Sequence, residues 1–346
     1  MIAIASIVTS DQQDIGGPLQ PMLIVRDLKK HFPVRKGGVR GAKVHAVDGV
    51  SFEVAKGETL GVVGESGCGK STLGKLLMHL IAPDNGELIF DGRGINTPDM
   101  PLRQLRRNLQ MVFQDSASSL NPRLSVESSI AYGPRLHGAS LNQARDKVRS
   151  LLEQVGLRPE VFAGRYPHEL SGGQKQRVNI ARALAVNPRM VILDESVSAL
   201  DKSVEAQILN LLRHLREQLH LTYIFISHDL NVVRYISDRV LVMYLGKIVE
   251  IGNVDQIYQQ PRHPYTKALL KSRLSASPDK RIALAPLAGD PPNPINPPPG
   301  CRFQARCAFA RDLCATTEPV LRPSATANHQ VACHFAEELT HVQGQQ

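Results

Sequence analysis

Residues 64–71 read Gly64-Glu65-Ser66-Gly67-Cys68-Gly69-Lys70-Ser71, preceded by Thr59-Leu60-Gly61-Val62-Val63 and followed by Thr72-Leu73-Gly74-Lys75-Leu76-Leu77. An apolar run, a Gly-rich turn and a helix-forming run commit this stretch to strand, loop and helix in that order. The glycines let the backbone turn tightly, so that successive N–H groups and the helix N-terminus converge on one place and cradle a triphosphate. Lys70 would bridge β- and γ-phosphates as a point charge, and Ser71, with Thr72 beside it, would place a hydroxyl on Mg²⁺. The plain alternative is a Gly-rich turn without a ligand; eight positions in register and both flanks weigh against it. Cys68 stands at a free position of the pattern and reads as a small filler, not a nucleophile.

At 346 residues the chain has room for one large domain and a small one, with apolar content ample for a core. No apolar stretch reaches the roughly 18–20 residues of a membrane span. The run Met1-Ile2-Ala3-Ile4-Ala5-Ser6-Ile7-Val8 is short and lacks a basic residue before it, a poor signal peptide. We therefore expect a cytoplasmic protein with reduced thiols. A net charge of +9 raises the question of nucleic acid. The basic residues are scattered, with small clusters such as Arg103, Arg106 and Arg107, and no aromatic-interleaved basic patch; a solvated face turned to anionic lipid explains them at least as well.

Downstream, Leu109-Gln110-Met111-Val112-Phe113 is strand-like and ends in Gln114-Asp115. A polar side chain at such a strand end can touch a metal or water beside the γ-phosphate. The following segment turns helical, with Leu141 to Val155 apolar at three- and four-residue spacing. It ends in Leu170-Ser171-Gly172-Gly173-Gln174, which opens a helix running to Leu184. Ser171 is a natural N-cap, and Gly172 and Gly173 leave N–H groups bare at a positive helix end, a second anion site; a plain capped helix is the competing reading. Met190-Val191-Ile192-Leu193-Asp194-Glu195 is a buried strand ending in two carboxylates. Asp194 suits Mg²⁺, and Glu195 suits orientation or deprotonation of the attacking water. Ser198-Ala199-Leu200-Asp201 follows, and a further strand, Tyr223-Ile224-Phe225-Ile226, delivers Ser227-His228-Asp229. A lone His is usually structural; at this strand end, in this company, His228 reads as a γ-phosphate contact.

As an ordered set over roughly residues 22–260, these motifs resemble the ATPase subunits of ABC transporters. The resemblance implies an α/β fold with a RecA-like phosphate-loop core, an antiparallel β portion near the N-terminus and a helical subdomain at about 115–185. It implies ATP and Mg²⁺ as ligands, with Mg²⁺ held by Ser71, Gln114 and Asp194. The expected ATP contacts are Gly64, Glu65, Ser66, Gly67, Cys68, Gly69, Lys70, Ser71, Thr72, Gln114, Ser171, Gly172, Gly173, Gln174, Asp194, Asp201 and His228. Catalysis would fall to Glu195, His228, Lys70 and Gln114. An aromatic near the N-terminus stacks on adenine in the family, and Phe32 is the best match, His31 the lesser one. Where the family has Glu-Pro-Thr-Ser, this chain has Glu195-Ser196-Val197-Ser198, which puts the local turn in question. In the family two ATPase chains close head to tail over two shared ATP molecules, which gives the second anion site at Ser171 a use.

The tail narrows the resemblance. Pro261-Arg262-His263-Pro264-Tyr265-Thr266 starts a short helix, and Pro291 to Gly300 is a stiff Pro-rich linker. Together they resemble the C-terminal extension of dipeptide, oligopeptide and nickel importer ATPases. Four of the five cysteines lie here, Cys301, Cys307, Cys314 and Cys333, with five, six and eighteen residues between. Such clustering in a cytosolic chain argues for a metal before disulfides; four thiolates suit tetrahedral zinc or an iron–sulfur cluster, and unligated thiols remain the third reading. The resemblance implies a [4Fe–4S] cluster of structural role.

The expected organisation is an extended or disordered N-terminus (1–20), an ATPase domain (21–272), a linker (273–300) and a Cys-bearing module (301–346). The expected function is ATP-driven import of a peptide-class substrate, by a peripheral protein on the cytoplasmic face of the inner membrane. Its implied partners are a second homologous ATPase subunit in a heterodimer, two membrane permeases and, indirectly, a solute-binding protein, with no nucleic acid. Nickel, glutathione or opine import would use the same ATPase. A soluble ATPase acting on nucleic acid predicts tandem ATPase domains or a long coiled-coil insertion, neither of which the sequence has; an iron–sulfur redox sensor is the remaining rival.

Overall fold

Mostly apolar runs become the central strands, and amphipathic runs become the helices. A computed structural model describes residues 17, 20–34, 42–116, 118–272, 295 and 297–341. The expectations for residues 1–16 and for most of the 273–300 linker lie outside the described residues. The elements in chain order begin with β1 (Leu23–Pro33), β2 (Lys43–Val54), β3 (Thr59–Val63), α1 (Lys70–Leu77), β4 (Asn85–Phe90), β5 (Arg93–Gly94), α2 (Leu102–Asn108) and β6 (Leu109–Val112). Then come α3 (Val126–Leu136), α4 (Leu141–Gln154), α5 (Pro159–Phe162), α6 (Gly172–Leu184), β7 (Met190–Asp194), α7 (Lys202–Leu219) and β8 (Thr222–Ile226). The chain continues with α8 (Leu230–Ile236), β9 (Arg239–Tyr244), β10 (Lys247–Asn253), α9 (Val254–Gln259), α10 (Pro264–Lys271), α11 (Asp312–Thr316), β11 (Arg322–Pro323) and β12 (Gln330–Val331).

The described residues divide into two compact units: those within Met1–Ile24, Glu53–Glu58 and Glu87–Ile224 form one, and those within Val25–Phe52, Thr59–Gly86 and Phe225–Gln346 the other. In the first, β6 and β7 pair in parallel, Val112 opposite Leu193, and every residue of β7 is buried. Each such buried Val, Leu or Ile contributes about 1.5–3 kcal/mol relative to exposure. Its helical part packs α3 on α4 and on α6. Helix α4 starts from a capping box in which Ser140 accepts the Gln143 N–H and the Gln143 side chain accepts the Ser140 N–H.

In the second unit β3 pairs in parallel with β9, Val63 opposite Val242, and β9 pairs antiparallel with β10. Strand β12 extends this sheet, with Glu250 of β10 opposite Val331, so the Cys-bearing tail is stitched to the unit that carries the phosphate loop. Strand β8 crosses from the first unit into the second. In the first unit β4 and β5 pair antiparallel, Ile89 opposite Gly94 and Phe90 opposite Arg93. Parallel buried strands alternating with helices, together with antiparallel pairs, make this the α/β fold expected.

Candidate functional site

The phosphate loop lies between β3 and α1, and its glycines are there for steric reasons that can be named. Gly64 has φ 152°, and a Cβ on it would stand 2.2 Å from the Met243 carbonyl oxygen. Gly69, the N-cap of α1, has φ 109°, and its Cβ would stand 2.1 Å from the Ala46 carbonyl oxygen. At these two positions the loop rests on the backbones of β9 and β2 with no room for a side chain. Lys70 is buried, and its Nζ donates to the carbonyls of Gly64 (2.7 Å) and Glu65 (3.0 Å), which holds the ammonium across the loop. Cys68 is buried and burial pushes its thiol up, with Lys70 pulling the other way, as suits a filler.

Glu65 is gripped from two sides. Its N–H donates to the Tyr265 hydroxyl at 2.9 Å, and its carboxylate accepts a forked pair from Arg306, at 2.8 and 3.0 Å. The Arg306 side chain is only 6% exposed, and the Glu65 hydrogen bonds, outweighing burial, push its guanidinium up from its ordinary value. Beneath the loop, Arg302 donates to the Leu245 carbonyl and to Asp48. Asp48 also accepts from His31 Nε2 (3.0 Å) and His45 Nδ1 (3.1 Å). Burial raises its pKa, but His45, Lys247, His31 and Arg302 together hold the carboxyl well below the usual range.

The two aromatic candidates separate here. The His31 ring is stacked on His45 at 3.9 Å between centroids and spent on Asp48, whereas the Phe32 ring is 38% exposed. His228 is exposed at the end of β8, next to Asp229, which caps α8.

In the same unit one cavity is lined by Cys301, Cys307, Cys314 and Cys333 together with apolar side chains such as Phe303 and Phe335. Residues spread over 33 positions of loop-rich chain therefore face one space. Burial pushes Cys301 up to about 11 and also raises Cys307 and Cys333, the neighbouring thiols adding to each. Such thiols give up their protons to a metal, not to water. Four thiolates on one zinc at about 2.3 Å would stand about 3.8 Å apart. Among the described residues the group of three whose ligand atoms gather within 4.8 Å is His31, His45 and Asp48, and no three thiols do so. At the His/Asp group Arg302 and Lys247 already oppose a cation.

The other unit carries the remaining motifs. Asp194 is buried at the end of β7. Glu195 follows at φ 46°, a left-handed conformation that costs a non-glycine residue about 1–3 kcal/mol. The turn that the Ser196-Val197 departure puts in question does form: the Ser198 N–H (3.2 Å) and hydroxyl (2.9 Å) both donate to the Glu195 carbonyl. Gln114 Nε2 donates to Glu195 Oε2 at 3.3 Å, so these two predicted residues meet. Asp201 caps α7 by accepting the Val204 N–H, which with the Ser203 hydroxyl lowers its pKa. Ser171 caps α6 in a capping box with Gln174. A Cβ on Gly173 would stand 2.5 Å from Val204 Cγ1, so this glycine is needed for packing as well, while Gly172 has room.

Arg302, Arg306, His45 and Asp48 escape the motif reading. The available signal was the near-symmetric run Cys301-Arg302 to Arg306-Cys307, with an arginine beside each of two thiols.

A loop shaped for a polyphosphate and a strained carboxylate bonded to an amide, on one chain, define a phosphate-loop nucleoside triphosphatase. The match to known proteins makes the class narrower. Residues 47–198 match the ABC transporter family model, and residues 249–314 match the model for the oligopeptide/dipeptide transporter C-terminal region. The chain is 49% identical to the oligopeptide transport ATP-binding protein AppF of Bacillus subtilis, over 91% of this chain and 98% of that one. It is 50% identical to the dipeptide transport ATP-binding protein DppF of Escherichia coli, over 92% and 96%. Among solved structures it resembles cbiO1 of Clostridium perfringens, part of an ABC transporter complex, with TM-score 0.60 and 29% identity over 69% of this chain and 91% of that one. It also resembles the dimeric ATP-binding cassette MJ0796 in a post-hydrolysis state with ADP and Pi, with TM-score 0.59 and 30% identity over 67% and 99%. The chain belongs to the ATP-binding proteins of the ABC transporter family, in the oligopeptide/dipeptide group, and is an ATPase. Such chains work with membrane permease subunits; among the described residues no helix is long and apolar enough to cross a membrane.

Proposed function

We propose that this chain hydrolyses ATP to power uptake of di- or oligopeptides through two separate permease subunits. It would sit on the cytoplasmic face of the inner membrane, paired with a second homologous ATPase and fed by a solute-binding protein. The observation that carries the peptide assignment is identity of 49–50% over more than nine-tenths of the chain to oligopeptide and dipeptide transport ATP-binding proteins, tail included.

Within the site, Phe32 stacks on adenine, the loop from Gly64 to Thr72 cradles the phosphates with its N–H groups other than that of Glu65, which Tyr265 holds, and Lys70 turns from the loop carbonyls to the β- and γ-phosphates. Mg²⁺, when bound, neutralises phosphate charge, and Ser71, Gln114 and Asp194 would hold it. Glu195 takes the proton of the attacking water as its oxygen bonds to the γ-phosphorus and the bridging P–O bond breaks, leaving ADP and phosphate. Gln114, bonded to Glu195, aligns that carboxylate, and His228 holds the γ-phosphate. Ser171, Gly172, Gly173, Gln174 and Asp201 act on ATP held by the partner's phosphate loop, because an N-cap with free N–H groups is an anion site in its own right.

The thiol cavity takes a [4Fe–4S] cluster on Cys301, Cys307, Cys314 and Cys333. Four cysteines facing one apolar cavity, Cys314 buried and the other three half-buried, support this reading. The test is reconstitution with permeases and partner ATPase, measuring ATP-driven uptake of dipeptides against nickel and glutathione, with iron, sulfide and zinc analysis of the same preparation. Uptake of nickel but not peptide would overturn the substrate; zinc without iron would overturn the cluster.

A further inference from the structure

A carboxylate at the second position of an anion-binding loop is electrostatically out of place. Glu65 follows Gly64 at the start of the phosphate loop, and Lys70 Nζ donates to its carbonyl at 3.0 Å. Left bare, its charge would repel the phosphates that the loop exists to hold. It is not bare: Arg306 neutralises it through two hydrogen bonds across 241 positions of sequence. Arg306 is also fixed laterally, by the Tyr244 hydroxyl at 3.4 Å, in a cluster where the Tyr244, Tyr265 and Phe303 rings lie 4.6–5.4 Å apart. Tyr265 closes the circuit by accepting the Glu65 N–H.

The next residue after Arg306 is Cys307, and the residue before Arg302 is Cys301. Both thiols line the cavity, and both arginines reach the phosphate loop or its floor. Arg302 bonds the Leu245 carbonyl in the β9–β10 turn, Gly246 of that turn donates to the Cys68 carbonyl at 2.8 Å, and the Asp48 N–H donates to the Gly246 carbonyl at 2.9 Å. A shift of the Cys301–Cys307 loop therefore moves two anchors of the ATP site together.

We propose that Arg306 is a positioning residue for ATP binding, which neutralises and holds Glu65 of the phosphate loop, and that metal bound at the neighbouring thiols keeps it in place. The second clause rests on the cluster reading above. The first stands on the ion pair alone.

The experiment measures binding of a fluorescent ATP analogue, and the KM and kcat of hydrolysis, on the assembled transporter. Arg306→Met should weaken ATP roughly tenfold, mostly in KM. Arg306→Lys, which keeps charge but loses the fork, should fall between. The decisive variant is the double Arg306→Met/Glu65→Gln: removing the stranded carboxylate should restore most of the lost affinity, a rescue that a merely structural tail contact would not give. Glu338→Gln, which breaks an exposed ion pair with Arg311 elsewhere in the tail, should match wild type. Melting temperatures check that each variant is folded; if Arg306→Met is not, the Arg306→Lys and Arg306→Lys/Glu65→Gln pair carries the same comparison. Wild-type affinity in folded Arg306→Met, or no rescue by Glu65→Gln, overturns the role of Arg306.

For the second clause, chelator-stripped and loaded transporters are compared after metal analysis. Stripping should weaken ATP in wild type and add little to Arg306→Met; equal affinity of stripped and loaded wild type overturns the coupling. A preparation without iron contradicts the cluster reading and the coupling with it, while the Arg306 arm is decided by its own titration.

Discussion

Gln114 and Glu195, 81 positions apart, meet through a 3.3 Å hydrogen bond from the amide Nε2 to the carboxylate Oε2. The carboxylate sits on a residue with φ 46°, so the backbone is strained at the group proposed to activate water. Glu195→Gln keeps shape and backbone but loses the base. ATP binding should persist while steady-state hydrolysis by the assembled transporter falls about 10²–10⁴-fold. Turnover near wild type would remove Glu195 from catalysis.

The paired glycines after Ser171 separate packing from chemistry. A Cβ on Gly173 meets Val204 Cγ1 at 2.5 Å, whereas on Gly172 it meets Leu200 Cδ2 at an ordinary 3.6 Å. Gly173→Ala should destabilise by about 1–3 kcal/mol in a thermal melt, and Gly172→Ala should leave the melt unchanged. Any loss of hydrolysis in Gly172→Ala then reports on nucleotide contact. Equal melting losses in the two variants would contradict the packing argument.

Ser171 has a local role and a proposed distant one. Ser171→Ala removes the cap on α6 and should cost about 1 kcal/mol. If Ser171 also acts on the partner's nucleotide, cysteines placed beside it and in the partner's phosphate loop should crosslink more with ATP than without. Crosslinking indifferent to nucleotide would count against the shared site.

His263 predicts a pH dependence. Burial pushes it down from 6.5 to about 4, against the pull of Glu250 and a hydrogen bond to Ala332. Its Nδ1 accepts the Tyr265 N–H at 3.0 Å as the cap of α10, a bond that requires the neutral ring. Between pH 6.5 and 4 the unfolded chain therefore holds more protons than the folded one. The stabilisation is complete above pH 6.5 and is lost as pH falls towards 4, about 3 kcal/mol in all. Thermal melts of His263→Asn, which keeps an acceptor, should show a flatter slope over that window; an unchanged slope would assign the dependence elsewhere.

Much of the ATPase core is legible in sequence because its signals are local. The strands β3, β7 and β8 are mostly apolar and wholly buried, and the Ser171 cap follows from side-chain type alone. What escapes is long-range. What sets His31 apart from Phe32 is of this kind: His45 and Asp48 stack and bond His31 from β2. Gly173 reads as a bare N–H in sequence, but Val204 on α7 makes it a packing residue as well. The arginines flanking Cys301 and Cys307 carry no periodic or motif signal, and only the fold brings them to Asp48 and Glu65. Metal identity is illegible for another reason: thiol spacing along the chain does not state thiol spacing in space.

The thiol site has a direct chemical check. Cys314→Ser should lose the brown colour and iron of anaerobically purified protein, whereas Cys68→Ser, in the phosphate loop, should keep both. Retention of full iron by Cys314→Ser would exclude it as a ligand.

The measurement that bears most directly on the whole account is uptake of a labelled dipeptide into vesicles holding this chain with its permeases, partner ATPase and binding protein. Uptake should require ATP and Mg²⁺, be abolished by Glu195→Gln, and be competed by peptides but not by nickel. ATP-driven uptake of nickel or glutathione with no peptide transport, or peptide uptake untouched by Glu195→Gln, would contradict it.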